Sequence, residues 1–230
     1  MSGTRLKVGI LISGRGSNMQ ALIEACAAPD FPAEIVLVLS NRADAAGIGI
    51  AAAAGIATKI VPHRDFPDRE SFEKALDQAL AEAGAALVCN AGFMRLFTPW
   101  FVARWHDRQI NIHPSLLPAF QGLHTHERAL TAGVRFTGCT VHFVRDAMDE
   151  GPIIAQAAVP VLQDDDADSL AARVLAAEHR LYPLALRLVA EGKIRVEGEK
   201  VTFLAPLPGA AGAVLNPAED PGRVGLAGRY

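Results

Sequence analysis

The chain has 230 residues, half of them hydrophobic and a fifth charged, with a formal net charge of -3. That length supports one domain with a full core, and the composition excludes a disordered chain and a basic nucleic-acid binder, leaving small molecules as the expected partners. The three cysteines, Cys26, Cys89 and Cys139, are widely spaced with no C-x-x-C pair, which argues against a disulfide framework or zinc ribbon and for a reducing cytoplasm.

Met1 to Arg5 leads straight into a strand-like segment, and no apolar run reaches the ~18 residues needed to span a bilayer, so neither an export signal nor a membrane anchor is expected. The run from Leu6 to Ile12 reads as a buried strand, and Ser13-Gly14-Arg15-Gly16 turns it into a helix over 17–28. Further strands are expected at 34–39, 57–61 and 85–90. An alanine-rich helix over 43–55 and an amphipathic one over 68–83 separate them, the latter with Phe72, Ala75, Leu76 and Leu80 on one face. Alternation of this kind predicts an α/β fold: a doubly wound, mostly parallel mixed sheet with helices on both faces and ligands beyond the carboxyl ends of the strands.

After Trp105 the pattern changes. A strand at 108–112 runs into the stiff segment His113-Pro114-Ser115-Leu116-Leu117-Pro118. Two alternating stretches, 137–144 and 153–161, are joined by a short link containing Asp146, Asp149 and Gly151, which predicts an antiparallel C-terminal hairpin. A long helix over 169–191 follows, broken or kinked near Pro183. Asp164, Asp165, Asp166 and Asp168 before its N-terminus read as a solvated cap rather than a metal site. The domain is expected to span 1–208. The Gly-, Ala- and Pro-rich segment 209–230 is expected to be a poorly ordered tail.

The loop Ser13-Gly14-Arg15-Gly16-Ser17-Asn18 places free N–H groups and a helix dipole where an anion can sit. The third glycine of a dinucleotide fingerprint is missing, no acid follows the second strand, and no G-K-[ST] is present, so a lone phosphate monoester fits better than a dinucleotide or ATP. The plainer alternative is a tight turn with Ser17 or Asn18 capping the helix.

In Asn111-Ile112-His113, strand alternation sends Asn111 and His113 to one side and Ile112 to the other. Asp149 is the carboxylate expected against them. An amide and an imidazolium stabilise the oxyanion formed when an amine attacks a formyl carbon, while a carboxylate orients the imidazole, favours its charged form and helps remove the amine proton. Neither a Ser-His-Asp triad nor a G-x-S-x-G elbow is visible, so no covalent acyl intermediate is implied.

Five segments, Ser13 to Asn18, Ala91 to Arg95, Asn111 to Pro118, Gly122 to His126 and Gly138 to Val144, together give the chain a likeness over roughly residues 5 to 205. It resembles the folate-dependent phosphoribosylglycinamide formyltransferases of purine biosynthesis. The resemblance implies a formyltransferase-like fold and transfer of a formyl group from 10-formyltetrahydrofolate to the amine of glycinamide ribonucleotide, in a monomer or homodimer with no metal, nucleic-acid or membrane partner. It further implies that Asn111, His113 and Asp149 are catalytic, that Gly16, Ser17 and Asn18 hold the substrate phosphate, and that Glu178 binds the ribose hydroxyls. Met94, Arg95, Leu96 and Phe97 would border the folate pterin, and Arg69 would meet the folate glutamate tail.

The residues themselves also allow Arg69 to be a solvated charge between Asp68 and Glu70, and Glu178 to pair with Arg173 or Arg180. Met94 is expected to pack in the core at the pocket edge. His124, His126 and His142 lack a cysteine or acid completing a compact zinc site, and His124 and His142 are placed instead on the active-site wall. Met148, Glu150 and Leu175 depart from the family pattern, which bears on loop flexibility and one auxiliary substrate contact.

Overall fold

A computed structural model of the chain describes residues 4–206 and 215–216. The tail expected over 209–230 lies outside the described residues except at 215 and 216, where the Asn216 amide donates to the Arg135 and Val161 carbonyls at 2.6 and 2.9 Å.

The chain runs β1 (Leu6–Ile12), α1 (Ser17–Cys26), β2 (Ala33–Ser40), α2 (Gly47–Ala53), β3 (Thr58–Ile60), α3 (Arg69–Glu82), β4 (Leu87–Asn90), α4 (Pro99–Arg104) and β5 (Gln109–His113). It continues through α5 (Thr125–Ala132), β6 (Phe136–Phe143), β7 (Ile153–Pro160), α6 (Ala167–Ala190), β8 (Ile194–Glu197) and β9 (Lys200–Phe203). Seven strands form one sheet in the order β3-β2-β1-β4-β5-β6-β7. Strands β1 to β5 pair in parallel, and β6 and β7 are antiparallel.

The central strand β1 shows why this sheet is covered on both faces. Val8, Ile10 and Ile12 point into one core with Met19 and Leu22 of α1 and Leu170, Val174 and Tyr182 of α6, whereas Leu11 points into the other with Phe72, Leu76 and Leu80 of α3 and Phe101 of α4. An alternating strand with apolar residues on both sides needs helices on both sides. Among the described residues, no helix is long and apolar enough to cross a membrane.

Several local expectations are corrected. Helix α2 starts at Gly47 rather than 43, because Arg42 and Asp44 pair in the preceding loop at 2.6 Å and the Gly47 N–H donates to the Gly14 carbonyl at 3.1 Å. Pro183 does not break α6, which runs unbroken to Ala190 with Tyr182, Ala185 and Leu186 buried around it. Packing of that face outweighs the one backbone bond that proline removes. Helices α4 and α5 and the β8–β9 hairpin were not expected. Pro99 at the start of α4 and Gly198, with φ of 60° at the hairpin turn, are the signals in the sequence that mark them.

Strands β6 and β7 approach closely at Gly138, where an added Cβ would lie 1.9 Å from the Ala157 carbonyl oxygen and 3.0 Å from Leu116 Cδ2. Gly138→Ala is therefore expected to cost about 2–3 kcal/mol, lowering Tm by roughly 4–12 °C. A thermal melt within a degree of the parent would contradict that close approach.

Candidate active site

Gly16 precedes α1 as its cap, with φ of 80° and no side-chain hydrogen bond. Ser17 and Asn18 are thus the first helical residues and not its caps. A Cβ on Gly16 would sit 2.9 Å from Gly47 Cα and 3.0 Å from Met19 Cε, so glycine is required both by its backbone and by its neighbour. An N-terminus without a side-chain cap keeps its donors available to an anion.

Glu178 on α6 is buried and accepts from Asn18 Nδ2 at 2.8 Å. It takes neither of the arginines considered as partners: Arg173 is engaged by Asp165 at 2.7 Å, and Arg180 makes no ion pair among the described residues. Burial raises the Glu178 carboxyl above its usual range, with the Asn18 amide opposing. A group kept this dry, beside the mouth of α1, suits recognition of neutral hydroxyls. A groove of about 550 Å³ between α1 and α6 includes Ser17, His179 and Arg180 in its walls but none of Asn111, His113 and Asp149.

At the other end of the site β5 supplies Asn111 and His113 side by side. His113 is 5% exposed. Its Nδ1 lies 3.4 Å from Asp149 Oδ2, and its Nε2 is 3.0 Å from the Phe120 carbonyl. Both ring nitrogens face acceptors, which is complementary to a ring carrying both protons. Because 3.4 Å is longer than a tight charge-assisted bond of about 2.8 Å, the Nδ1 side keeps room for an incoming oxygen. Asp149 has φ of 54°, and its Oδ2 also accepts from the Gly122 N–H at 2.7 Å.

Asn111 and His142 are register partners across β5 and β6. Burial holds the His142 imidazole below its usual range, outweighing the nearby Phe143 carbonyl and Asp149. Its Nδ1 faces the Phe143 carbonyl at 2.9 Å and must donate there, so in the neutral ring Nε2 accepts from Asn111 Nδ2 at 3.3 Å. The amide orientation of Asn111 is thereby fixed. The sequence places His142 on the wall of the site, but its role in aiming Asn111 was not anticipated, and neither were the Phe120 and Gly122 backbone contacts. His124 instead has its side chain 75% exposed, beside Glu127.

The segment 94–97 follows β4, the parallel neighbour of β5. Met94 is 65% exposed, not core-packed, and Leu96 is 56% exposed. Phe97 stacks between Phe93 and Phe101, with centroids 5.4 and 4.7 Å away. Arg95 is half-buried. This segment is tied to the glycine loop, because the Met94 N–H donates to Ser13 Oγ at 2.9 Å and that hydroxyl donates to Asn41 at 2.6 Å. Glu73 fixes its far end by accepting from the Thr98 N–H at 2.8 Å and from the Thr98 hydroxyl. Arg69 is exposed on the first turn of α3, and its charge is felt at Glu73. Apolar side chains left open at Met94 and Leu96 offer a face that suits a flat ring.

Burial holds the thiols of Cys26 and Cys139 up at about 11 and 12, and raises that of Cys89 also, so all three stay protonated at neutral pH. Among the described residues, no group of three or more His, Cys, Asp or Glu side chains is placed to hold a metal ion.

The sequence profile described as formyl transferase matches residues 6–186. The chain belongs to the formyl transferase family. Among its relatives in that family, the phosphoribosylglycinamide formyltransferase of Escherichia coli strain K12 is 43% identical over 83% of this chain and 90% of the relative. The trifunctional purine biosynthetic protein adenosine-3 of Homo sapiens is 47% identical over 87% of this chain but only 20% of that protein. The chain thus spans about a fifth of such trifunctional relatives. The family fold is equally close in solved structures. Glycinamide ribonucleotide transformylase 1 from Symbiobacterium toebii superposes with a TM-score of 0.86 at 46% identity, covering 89% of this chain and 96% of that one. Phosphoribosylglycinamide formyltransferase from Brucella melitensis gives 0.79 at 57% identity, covering 81% and 96%.

Proposed function

We propose that this formyl transferase moves the formyl group of 10-formyltetrahydrofolate to the amine of glycinamide ribonucleotide, a step of purine biosynthesis, acting in the cytoplasm as a monomer or homodimer. The observation that carries the reading is the His113–Asp149 contact of 3.4 Å beside an amide whose orientation is fixed by His142. The folate supplies an activated formyl carbon. The residues of the chain do the rest: Gly16, Ser17 and Asn18 hold the ribonucleotide phosphate at the start of α1, and Glu178 takes the ribose hydroxyls. Met94, Arg95, Leu96 and Phe97 border the pterin, and Arg69 meets the glutamate tail.

His113 Nδ1–H and the Asn111 amide donate to the formyl oxygen as the amine adds and negative charge grows there. Asp149 accepts the amine proton directly or through a water. Addition forms the new C–N bond, and collapse of the tetrahedral oxyanion then re-forms the carbonyl, breaks the old C–N bond and returns a proton to the departing folate nitrogen. The same geometry needs no covalent enzyme intermediate.

Incubating the protein with 10-formyltetrahydrofolate, with and without glycinamide ribonucleotide, tests this. Formylated product and free tetrahydrofolate appearing only when both are present is the expected result. Formate released without the ribonucleotide would point to hydrolysis. No turnover in either mixture would leave a sugar-phosphate-binding module, which accounts for the glycine loop but not for Asn111, His113 and Asp149.

A further inference from the structure

The His113–Asp149 pair is held from outside by a short turn. The Phe120 carbonyl receives the His113 Nε2–H at 3.0 Å, and the Gly122 N–H binds Asp149 Oδ2 at 2.7 Å. Two backbone groups, two residues apart, therefore fix the direction of the imidazole and the position of the carboxylate. A histidine whose second nitrogen is pinned presents the first in one direction only.

The turn that offers these groups is not a self-sufficient one. Phe120, Gly122 and His124 all have positive φ, at 54°, 81° and 57°. Phe120 and His124 carry a Cβ, so each is held in an unfavourable conformation that persists only when its surroundings impose it. Arg128 on α5 supplies such surroundings. Its Nη1 donates to the Gln121 carbonyl and lies 3.4 Å from the Leu123 carbonyl, and its guanidinium carbon is 5.6 Å from the centre of the Phe120 ring. One planar cation thus fastens both carbonyls flanking Gly122 and stacks on the residue whose own carbonyl meets His113. Its first helical turn is anchored by the Arg128 N–H donating to the His124 carbonyl at 3.0 Å.

We propose that Arg128 is a positioning residue for the catalytic pair, acting through the 120–123 turn without touching substrate; this rests on the reaction proposed above. One nitrogen, Nη1, serves both carbonyls while the flat face lies on the Phe120 ring. Lysine retains the charge and has donors enough for two carbonyls, but it has no planar face to lie on Phe120 while reaching them, so Arg128→Lys is expected to behave much like Arg128→Ala.

Two readouts separate this from general stabilisation and from the reaction itself. The first is the imidazole Nε2–H resonance of His113 in protein labelled with nitrogen-15 at histidine, recorded without substrates. It is expected to be protected from water exchange in the parent and lost in both Arg128 variants, whether or not the protein formylates anything. The second is steady-state kinetics with 10-formyltetrahydrofolate and glycinamide ribonucleotide. There kcat is expected to fall about tenfold while the KM for the ribonucleotide changes by less than about twofold, because a displaced imidazole costs transition-state and not ground-state binding. A resonance retained in the variants, or one absent in the parent, overturns the proposal; so does unchanged kcat, or full recovery of kcat in Arg128→Lys. If the parent itself does not turn over, the reaction reading fails and the resonance alone decides the positioning role.

Discussion

Asp149→Asn is expected to lower kcat by about three orders of magnitude while leaving the affinity for glycinamide ribonucleotide within a fewfold of the parent. The substitution is chosen to isolate charge. Asp149 has φ of 54°, and asparagine is among the few residues that tolerate the left-handed region, so the backbone of the loop is undisturbed. The amide oxygen of asparagine is still able to accept from the Gly122 N–H, now 2.7 Å from Oδ2. What is lost is a group able to take the amine proton and to stabilise the adjacent imidazolium. Calorimetry with the ribonucleotide, steady-state kinetics and a thermal melt together check this. A variant with kcat within tenfold of the parent would remove Asp149 from the chemistry.

His113→Ala is expected to reduce kcat by a factor of about 100 to 1,000, the range seen when one donor to a developing oxyanion is deleted. Unlike the aspartate change, it also carries a structural cost. The ring is buried, and its removal takes the side-chain partner from the Phe120 carbonyl and leaves the Asp149 carboxylate only the Gly122 N–H, worth about 1–3 kcal/mol of stability. The kinetics must therefore be run well below the melting temperature of the variant, and His113→Gln serves as a second test with a polar group retained. Ribonucleotide binding should survive in both, because the phosphate loop and Glu178 lie on other elements. Activity near that of the parent in either variant would contradict the assignment.

What the sequence discloses about this site follows its locality. The glycine loop is legible because a strand, a sharp turn and a helix start occupy one short stretch, and the Asn111/His113 pair is legible because strand alternation fixes sides. Pairing Asp149 with His113 follows no spacing rule; it depends on the antiparallel return of β6 and on a loop whose shape is set by tertiary contacts. Met94 shows the limit of composition, since an apolar side chain reads as core whether it is buried or left open for a ligand. The Phe120 carbonyl and the Gly122 N–H have no signature at all, because any residue carries the same backbone groups. Helices α4 and α5 were missed for a related reason: both are short, and their stability comes from packing rather than from propensity.

The hydrogen bond between Asn18 and Glu178 joins residues 160 positions apart and ties the first helix to the last. A growing polypeptide that has emerged only as far as β6 already owns its phosphate loop and its Asn-x-His strand, yet lacks the carboxylate at 149 and the acid at 178. Competence therefore waits on two later arrivals, the link that carries Asp149 and then α6 with Glu178.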